Sequence, residues 1–74
     1  MAAVWLMVIY YDYEKSLGVT YFYHPENGIL TKEYEQNLYV FYAWADLEFA
    51  TAKRVKITDK NYQHLLTSGL ITEL

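Results

Sequence analysis

The sequence contains no cysteine, and it has only one proline, three glycines and six basic residues against nine acidic ones among its 74 residues. Without cysteine it can form neither a disulfide nor a thiolate metal site. Its two histidines, His24 and His64, lie forty residues apart and cannot bind zinc unaided. We therefore expect no cofactor. The lack of cysteine is also typical of a reducing compartment, so we expect a cytoplasmic protein.

Targeting and membrane-spanning patterns are missing too. No Lys or Arg precedes Lys15, although a secretory signal begins with basic residues, and large side chains occupy the positions where a cleavage site needs small ones. The uncharged opening run ends at Asp12, whereas a membrane-spanning helix needs about 20 apolar residues. The sequence therefore predicts neither a signal peptide nor a membrane partner.

Apolar and aromatic side chains, by contrast, are abundant: 54% of the residues are hydrophobic and 19% are aromatic, with nine tyrosines. A chain of this length forms a small core, so it usually needs a disulfide, a metal or an oligomer interface as well. No repeat, low-complexity segment or linker divides the sequence. We expect a single compact domain over residues 1–74, stabilised by aromatic packing or by self-association.

Alternating apolar residues predict strands in the first half of the chain. The first strand, residues 3–13, is apolar on both of its faces and should lie in the interior of a sheet. A hairpin turn is predicted at Pro25-Glu26-Asn27-Gly28, because proline and Asn-Gly favour tight turns. The predicted strands are 3–13, 19–24, 29–34 and 38–43, with an earlier turn at 14–18. The polar residues of 29–34 suit an exposed edge strand but would also suit one helical turn.

The second half of the chain has a helical period. Residues 43–54 are rich in alanine, with acidic residues first and basic residues last, the order that suits a helix dipole, although alternation within the segment would also fit a strand. A short strand is predicted at 55–57 and a clearer helix at 60–68, ended by Gly69. The predicted fold class is α+β: an antiparallel β-meander of about four strands followed by one or two short helices packed on one face.

Helices on one face of such a sheet would leave the other face uncovered. Because strands 3–13 and 38–43 are apolar on both sides, that face should be aromatic, and exposed patches of this kind usually mark an interaction surface. Tyrosines anchor protein interfaces, and acidic residues two apart on a strand would line the rim. The predicted partner-binding residues are Tyr11, Tyr13, Tyr21, Tyr23, Glu33, Glu35, Asp46 and Glu48.

No residue pattern in the sequence predicts catalysis. His24 and His64 have no Ser, Asp or Glu at a spacing that implies a dyad, and the paired carboxylates are too few for a calcium loop. The first fifty residues carry seven acids against two bases, so stacking of nucleic-acid bases on the tyrosines would lack the positive groove that it needs. We expect no enzyme and no direct nucleic-acid binding.

Two functions remain. The first is a small non-enzymatic protein-interaction module whose tyrosine-rich, acid-rimmed face binds a protein with a basic surface. The profile resembles the small, acidic, cysteine-free proteins with which phages and other mobile elements block host machinery, and the resemblance implies an inhibitor that masks, for example, a nucleic-acid site. The alternative is a homo-oligomeric structural or assembly protein, in which the same face is buried against another copy.

Overall fold

The chain forms three strands before its first helix. The computed structural model describes residues 7–25 and 28–74, and these residues form four strands and two helices. The elements are β1 (Val8–Glu14), β2 (Gly18–Tyr23), β3 (Thr31–Glu35), α1 (Leu38–Glu48), β4 (Lys53–Lys56) and α2 (Tyr62–Thr67). The predicted α+β class is confirmed. Of the predicted strand 3–13, residues 3–6 lie outside the described residues, and the rest belongs largely to β1.

The first three strands form an antiparallel meander. β1 pairs with β2, which places Tyr11 opposite Tyr21, and β2 pairs with β3, which places Tyr21 opposite Glu33. The strands predicted at 19–24 and 29–34 are therefore present, with ends shifted by one or two residues. The segment 29–34, whose polar residues suit an exposed edge strand or one helical turn, forms the edge strand β3.

Two turns connect these strands. After β1, the Leu17 N–H donates to the Glu14 carbonyl at 2.9 Å, and Gly18 follows with a φ of 100°, a left-handed conformation that glycine adopts without strain. After β2, the Gly28 N–H donates to the Pro25 carbonyl at 3.2 Å. Residues 26 and 27 lie outside the described residues, so the predicted turn is described only at its two ends.

The fourth strand is not part of the meander, which corrects the predicted topology. The sheet order is β3-β2-β1-β4, and β4 runs parallel to β1, with Val55 opposite Tyr10. A parallel neighbour requires a crossover connection, and α1 supplies it. Residues 38–43, predicted as a fourth antiparallel strand, form the first half of that helix, and β4 begins two residues before the predicted strand at 55–57.

The helices cover both faces of the sheet, so the predicted packing on one face is wrong. Alternation along β1 and β2 sends odd-numbered residues towards α1 and even-numbered residues to the other side. The buried residues on the α1 side are Met7, Ile9, Val19, Tyr21, Phe41 and Ala45. Those on the opposite side are Phe22, Ile57, Leu65 and Ile71. The prediction failed because it placed both helices after the main strands, whereas α1 crosses one face of the sheet between β3 and β4 and α2 packs on the other face.

α2 ends as the sequence predicts. Gly69 has a φ of 73°, and its N–H donates to the Leu66 carbonyl at 3.2 Å, while the Leu70 N–H donates to the Leu65 carbonyl at 3.0 Å. This pair of bonds is the Schellman arrangement, in which a left-handed glycine satisfies the last carbonyls of a helix. Leu65 and Leu70 both join the core on this side of the sheet.

Candidate protein-interaction surface

α1 begins at a well-formed N-cap. The Asn37 side-chain oxygen accepts hydrogen bonds from the N–H groups of Tyr39 at 2.8 Å and Val40 at 3.4 Å, and so satisfies two of the donors that a helix start leaves free. The helix ends at Phe49, whose N–H donates to the Ala45 carbonyl at 2.9 Å and whose backbone leaves the helical region. The cap and the packing beneath the helix overcome the weak helix propensity of its aromatic and β-branched residues.

One side of α1 is fixed to the sheet by burial. The side chains on that side are Leu38, Phe41, Tyr42, Trp44 and Ala45. The ring centroid of Phe41 lies 4.9 Å from that of Tyr21 and 5.2 Å from that of Tyr11. Tilted aromatic contacts at such distances add to the hydrophobic energy of burial. This anchoring determines which residues of α1 point outward.

The opposite side of α1 is apolar as well, and it faces solvent. Its exposed side chains are Tyr39 (79% exposed), Val40 (49%) and Leu47 (85%), with exposed Ala43 between them. These four residues, here called the outer stripe, recur at helical spacing along one side of the helix. A single exposed leucine is ordinary, but a helix that is apolar all round is normally covered all round. The outer stripe is therefore a candidate surface for contact with another molecule.

The acids beside the outer stripe differ in their partners. The carboxylate of Asp46 is paired with the guanidinium of Arg54 on β4, which also lies 5.9 Å from the ring centroid of Tyr42. Glu48 directly follows Leu47 at the end of the helix and is exposed. Helix geometry places Asp46 beside Tyr39, where it is paired with Arg54, and directs Glu48 to the flank nearer Phe41 than the outer stripe.

Shallow, open depressions flank the two ends of α1. The one at the helix start has a volume of about 340 Å³ and is lined by Tyr13, Lys15, Gln36, Asn37, Leu38 and Tyr39. The one at the helix end has a volume of about 440 Å³ and is lined by Met7 and residues 47–52. Neither encloses its contents as a small-molecule site does. Together with the outer stripe they form one irregular surface along the length of α1.

The four tyrosines predicted to bind a partner lie beneath α1, on the face that this helix covers. Tyr21 is only 5% exposed, and Tyr11, Tyr13 and Tyr23 pack around the same core. The ring centroids of Tyr21 and Tyr23 lie 4.9 Å and 5.7 Å from that of Trp44. Strand alternation brings the four together, as expected. Because α1 packs over them, they contact the buried side of the helix whose opposite side carries the outer stripe.

Glu33 is joined to two of these tyrosines. The Tyr21 hydroxyl donates to Glu33 Oε2 at 2.9 Å and the Tyr23 hydroxyl donates to Oε1 at 3.2 Å, so both carboxylate oxygens accept from the neighbouring strand. Burial, followed by the nearby Glu33 carboxylate, raises the pKa of Tyr21, and the same causes raise the pKa of Tyr23. Glu33 therefore binds two hydroxyls of its own molecule.

Tyr11 and Tyr42 join β1 to α1. Their hydroxyl oxygens lie 3.4 Å apart, and their rings meet edge to face with centroids 6.2 Å apart. Burial, followed by the hydrogen bond with Tyr42, raises the pKa of Tyr11 to about 12. The raised pKa keeps this hydroxyl protonated at a pH where an exposed tyrosine, with a pKa of about 10, already ionises.

The other predicted acids are distributed over two elements. Glu35 on β3 accepts a hydrogen bond from the Gln36 N–H at 2.9 Å. Asp46 and Glu48 lie on α1, so the two-residue spacing that would place them on one face of a strand directs them to different sides of a helix. The structure therefore brings Glu33 to the tyrosines, and it leaves Glu48 on the flank of α1 next to the buried side.

Other kinds of site leave no trace in the described part of the chain. Residues 7–25 and 28–74 contain no group of three or more His, Asp or Glu side chains placed to hold a metal ion. No helix among these same residues has the length and apolar character needed to cross a membrane. Comparison with family models, curated proteins and solved structures gives no match to this chain.

Sequence reasoning missed the outer stripe because it interpreted residues 38–43 as a strand. On a strand, Tyr39 and Val40 point to opposite faces, and nothing connects either of them to Leu47. The signal that could have found the stripe is Asn37, a strong N-cap residue directly before a run of apolar residues that lacks proline and glycine.

Proposed function

We propose that this chain is a small non-enzymatic protein-interaction module that binds protein through the outer stripe of α1. The proposal is carried by one observation: a helix already anchored by one apolar side presents a second apolar side to solvent, with Leu47 85% and Tyr39 79% exposed. Removing apolar surface from water is worth about 25 cal/mol per Å², which a partner covering the stripe would recover.

The shape of this surface favours a protein over a small molecule. Tyr39 and Leu47 project from a convex helix, and the depressions beside them are open. Tyrosine is enriched among the residues that carry binding energy in protein interfaces. Other exposed large apolar side chains, such as Leu17 and Ile29, lie in separate loops, whereas those of the outer stripe share one helix.

The partner that we propose has a basic surface. The net charge of −3 supports this choice, because it favours encounter with a surface of opposite charge. The absence of cysteine supports a cytoplasmic setting for this contact.

Site-specific photo-crosslinking in cells tests the proposal. A photoreactive phenylalanine analogue replacing Leu47 should form a covalent adduct with a protein, because position 47 is exposed within the outer stripe. The same analogue replacing Gln63, which is exposed on α2, is the matched control and should form far less. Mass spectrometry of the adduct identifies the crosslinked chain. Equal yields at the two positions would contradict the proposal.

A further inference from the structure

We propose that the free edge of β4 is a second interaction site, which binds an extended, acidic segment of a partner protein as an additional strand of the sheet. This edge belongs to a different element from the outer stripe, so the inference goes beyond the proposed function and does not depend on it. Among residues 7–25 and 28–74, β4 pairs with β1 alone, which leaves its other side at the edge of the sheet.

The register of β4 shows which backbone groups face this edge. The Lys53 N–H donates to the Met7 carbonyl at 3.0 Å, and the Ile57 N–H also donates to β1, so the odd-numbered residues of this segment direct their backbone groups towards β1. Because successive residues of a strand alternate in this direction, the N–H and C=O groups of Arg54 and Lys56 point away from the sheet. Extended peptides add to sheets at edges that offer such groups.

Asn61 marks where the free edge ends. Its side-chain amide donates to the Lys56 carbonyl at 2.9 Å, and its side-chain oxygen accepts from the Thr58 N–H at 2.7 Å. A residue of a neighbouring parallel strand would make the same two bonds, so Asn61 already occupies this end of the edge. Within β4, the outward groups left for a partner strand are the N–H and C=O of Arg54 and the N–H of Lys56.

The charge of this edge selects an acidic partner. Four of the chain's six basic residues lie between positions 53 and 60, although the chain as a whole has a net charge of −3. Lys53 and Lys56 are exposed, while Arg54 is already paired with Asp46. Two copies of β4 would bring these lysines together, and lysine on an edge strand is a common means of preventing such pairing. The same two charges attract an acidic strand.

The placement of the two lysines favours a peptide over a nucleic acid. Lys53 and Lys56 are three residues apart, so strand alternation directs their side chains to opposite faces of the sheet. Phosphates bound on one face would reach only one of the two. A strand added at the edge carries side chains on both faces, so acidic residues on each of its faces meet both lysines while its backbone pairs with Arg54.

A titration followed by nuclear magnetic resonance tests the inference. The probe is a short blocked peptide of glutamate and valine with acidic residues on both strand faces, and the control peptide has lysine in place of each glutamate. The glutamate peptide should shift the amide resonances of Arg54 and Lys56, which face the edge, and should shift that of Val55, which faces β1, far less. The lysine peptide should cause no comparable shifts.

Two substitutions at position 56 separate the charge from the backbone pairing. Lys56→Gln removes the charge and keeps the outward N–H, and it should weaken binding of the glutamate peptide by about threefold or more. Lys56→Pro removes that N–H as well, without breaking a bond to β1, and should weaken binding by at least about threefold further. Lys60→Gln, an exposed change of the same charge beyond this strand, is the control and should leave the affinity unchanged.

A modified peptide makes the backbone test on the unaltered protein. Methylation of the peptide's backbone nitrogens removes its donors and keeps its charges, and should weaken binding by about tenfold or more. Thermal melts of the position 56 variants show whether each one keeps wild-type stability. If Lys56→Pro unfolds, the methylated peptide carries the comparison.

Several results would overturn the inference. They are a glutamate peptide that shifts no amide of β4 at about 1 mM, equal binding of the glutamate and lysine peptides, and undiminished binding of the methylated peptide. A single-stranded oligonucleotide that binds these amides more tightly than the glutamate peptide would assign the lysines to phosphate instead. None of these results changes the crosslinking expected from position 47, so the inference and the proposed function fail independently.

Discussion

At the scale of single residues, Gly18 is the glycine whose surroundings and backbone both exclude a side chain. Its φ is 100°, and a Cβ there would lie 2.7 Å from the Glu35 carbonyl oxygen. Gly69 has a φ of 73°, but a Cβ there would have nothing within 4 Å. We expect Gly18→Ala to lower the free energy of unfolding by about 3 kcal/mol, and Gly69→Ala by about 1 kcal/mol from backbone strain. Urea unfolding measures both losses, and equal losses would contradict the role of the contact.

The buried Tyr21 hydroxyl should make stability depend on alkaline pH. Burial and Glu33 raise its pKa in the folded protein, so the folded state releases this proton less readily than the unfolded state. The corresponding stability is complete below the unfolded pKa of about 10 and is lost as the pH rises from there towards the folded pKa. We expect the free energy of unfolding to fall less above this pH in Tyr21→Phe than in the wild type.

Urea unfolding at several pH values between about 8 and about 12 measures this difference. Tyr39→Phe is the matched control, because Tyr39 is 79% exposed and does not belong to the core cluster around Tyr21. At neutral pH, Tyr21→Phe should cost about 1 kcal/mol, the net contribution of one hydrogen bond. If the wild type and Tyr21→Phe lose stability in parallel above pH ~10, the linkage to this hydroxyl is wrong.

At the scale of elements, the start of α1 is stabilised by its N-cap residue, Asn37. Asn37 accepts hydrogen bonds from the N–H groups of Tyr39 and Val40. Asn37→Ala removes both and should lower the free energy of unfolding by about 1 kcal/mol, whereas Asn37→Asp, which keeps an acceptor oxygen at the cap, should change it little. Chemical unfolding followed by circular dichroism compares the two variants. Equal destabilisation by both would show that the cap oxygen is not what stabilises the helix start.

The strands of the hairpin and the second half of α1 could be predicted from the sequence, and the first half of α1 could not. Alternation along β1 and β2 requires no knowledge of distant residues, because period two directly gives the face of each side chain. Residues 38–43 carry aromatic and β-branched side chains that favour a strand, and their helical state comes from the Asn37 cap and from Phe41 packing on the sheet. Tertiary contacts of this kind overrule local propensity.

The same error explains the predicted site. Sequence alternation correctly grouped Tyr11, Tyr13, Tyr21 and Tyr23, but a pattern along a strand does not tell which element lies above its face. Because residues 38–48 form a helix, the four tyrosines pack beneath it. The exposed apolar surface then lies on the side of the helix that faces away from the sheet. Among the predicted acids, Glu33 accepts hydrogen bonds from the hydroxyls of Tyr21 and Tyr23.

At the scale of the whole molecule, the order of the elements along the chain determines both the two hydrophobic cores and the outer stripe. α1 joins two parallel strands across the sheet and α2 closes the opposite face, so the described apolar residues of the central strands are divided between two sides. A chain of 74 residues without cysteine has few other means of gaining stability. A protein partner on the outer stripe would bury apolar surface that the chain by itself leaves in water.

The most direct test of the central claim, that the outer stripe of α1 binds protein, is the yield of photo-crosslinks in cells from its exposed positions. We predict protein adducts from a photoreactive phenylalanine analogue replacing Tyr39 or Leu47, and far fewer from the same analogue replacing Gln63 on α2. Equal yields from α1 and α2, or no adduct from either position of the outer stripe, would contradict it.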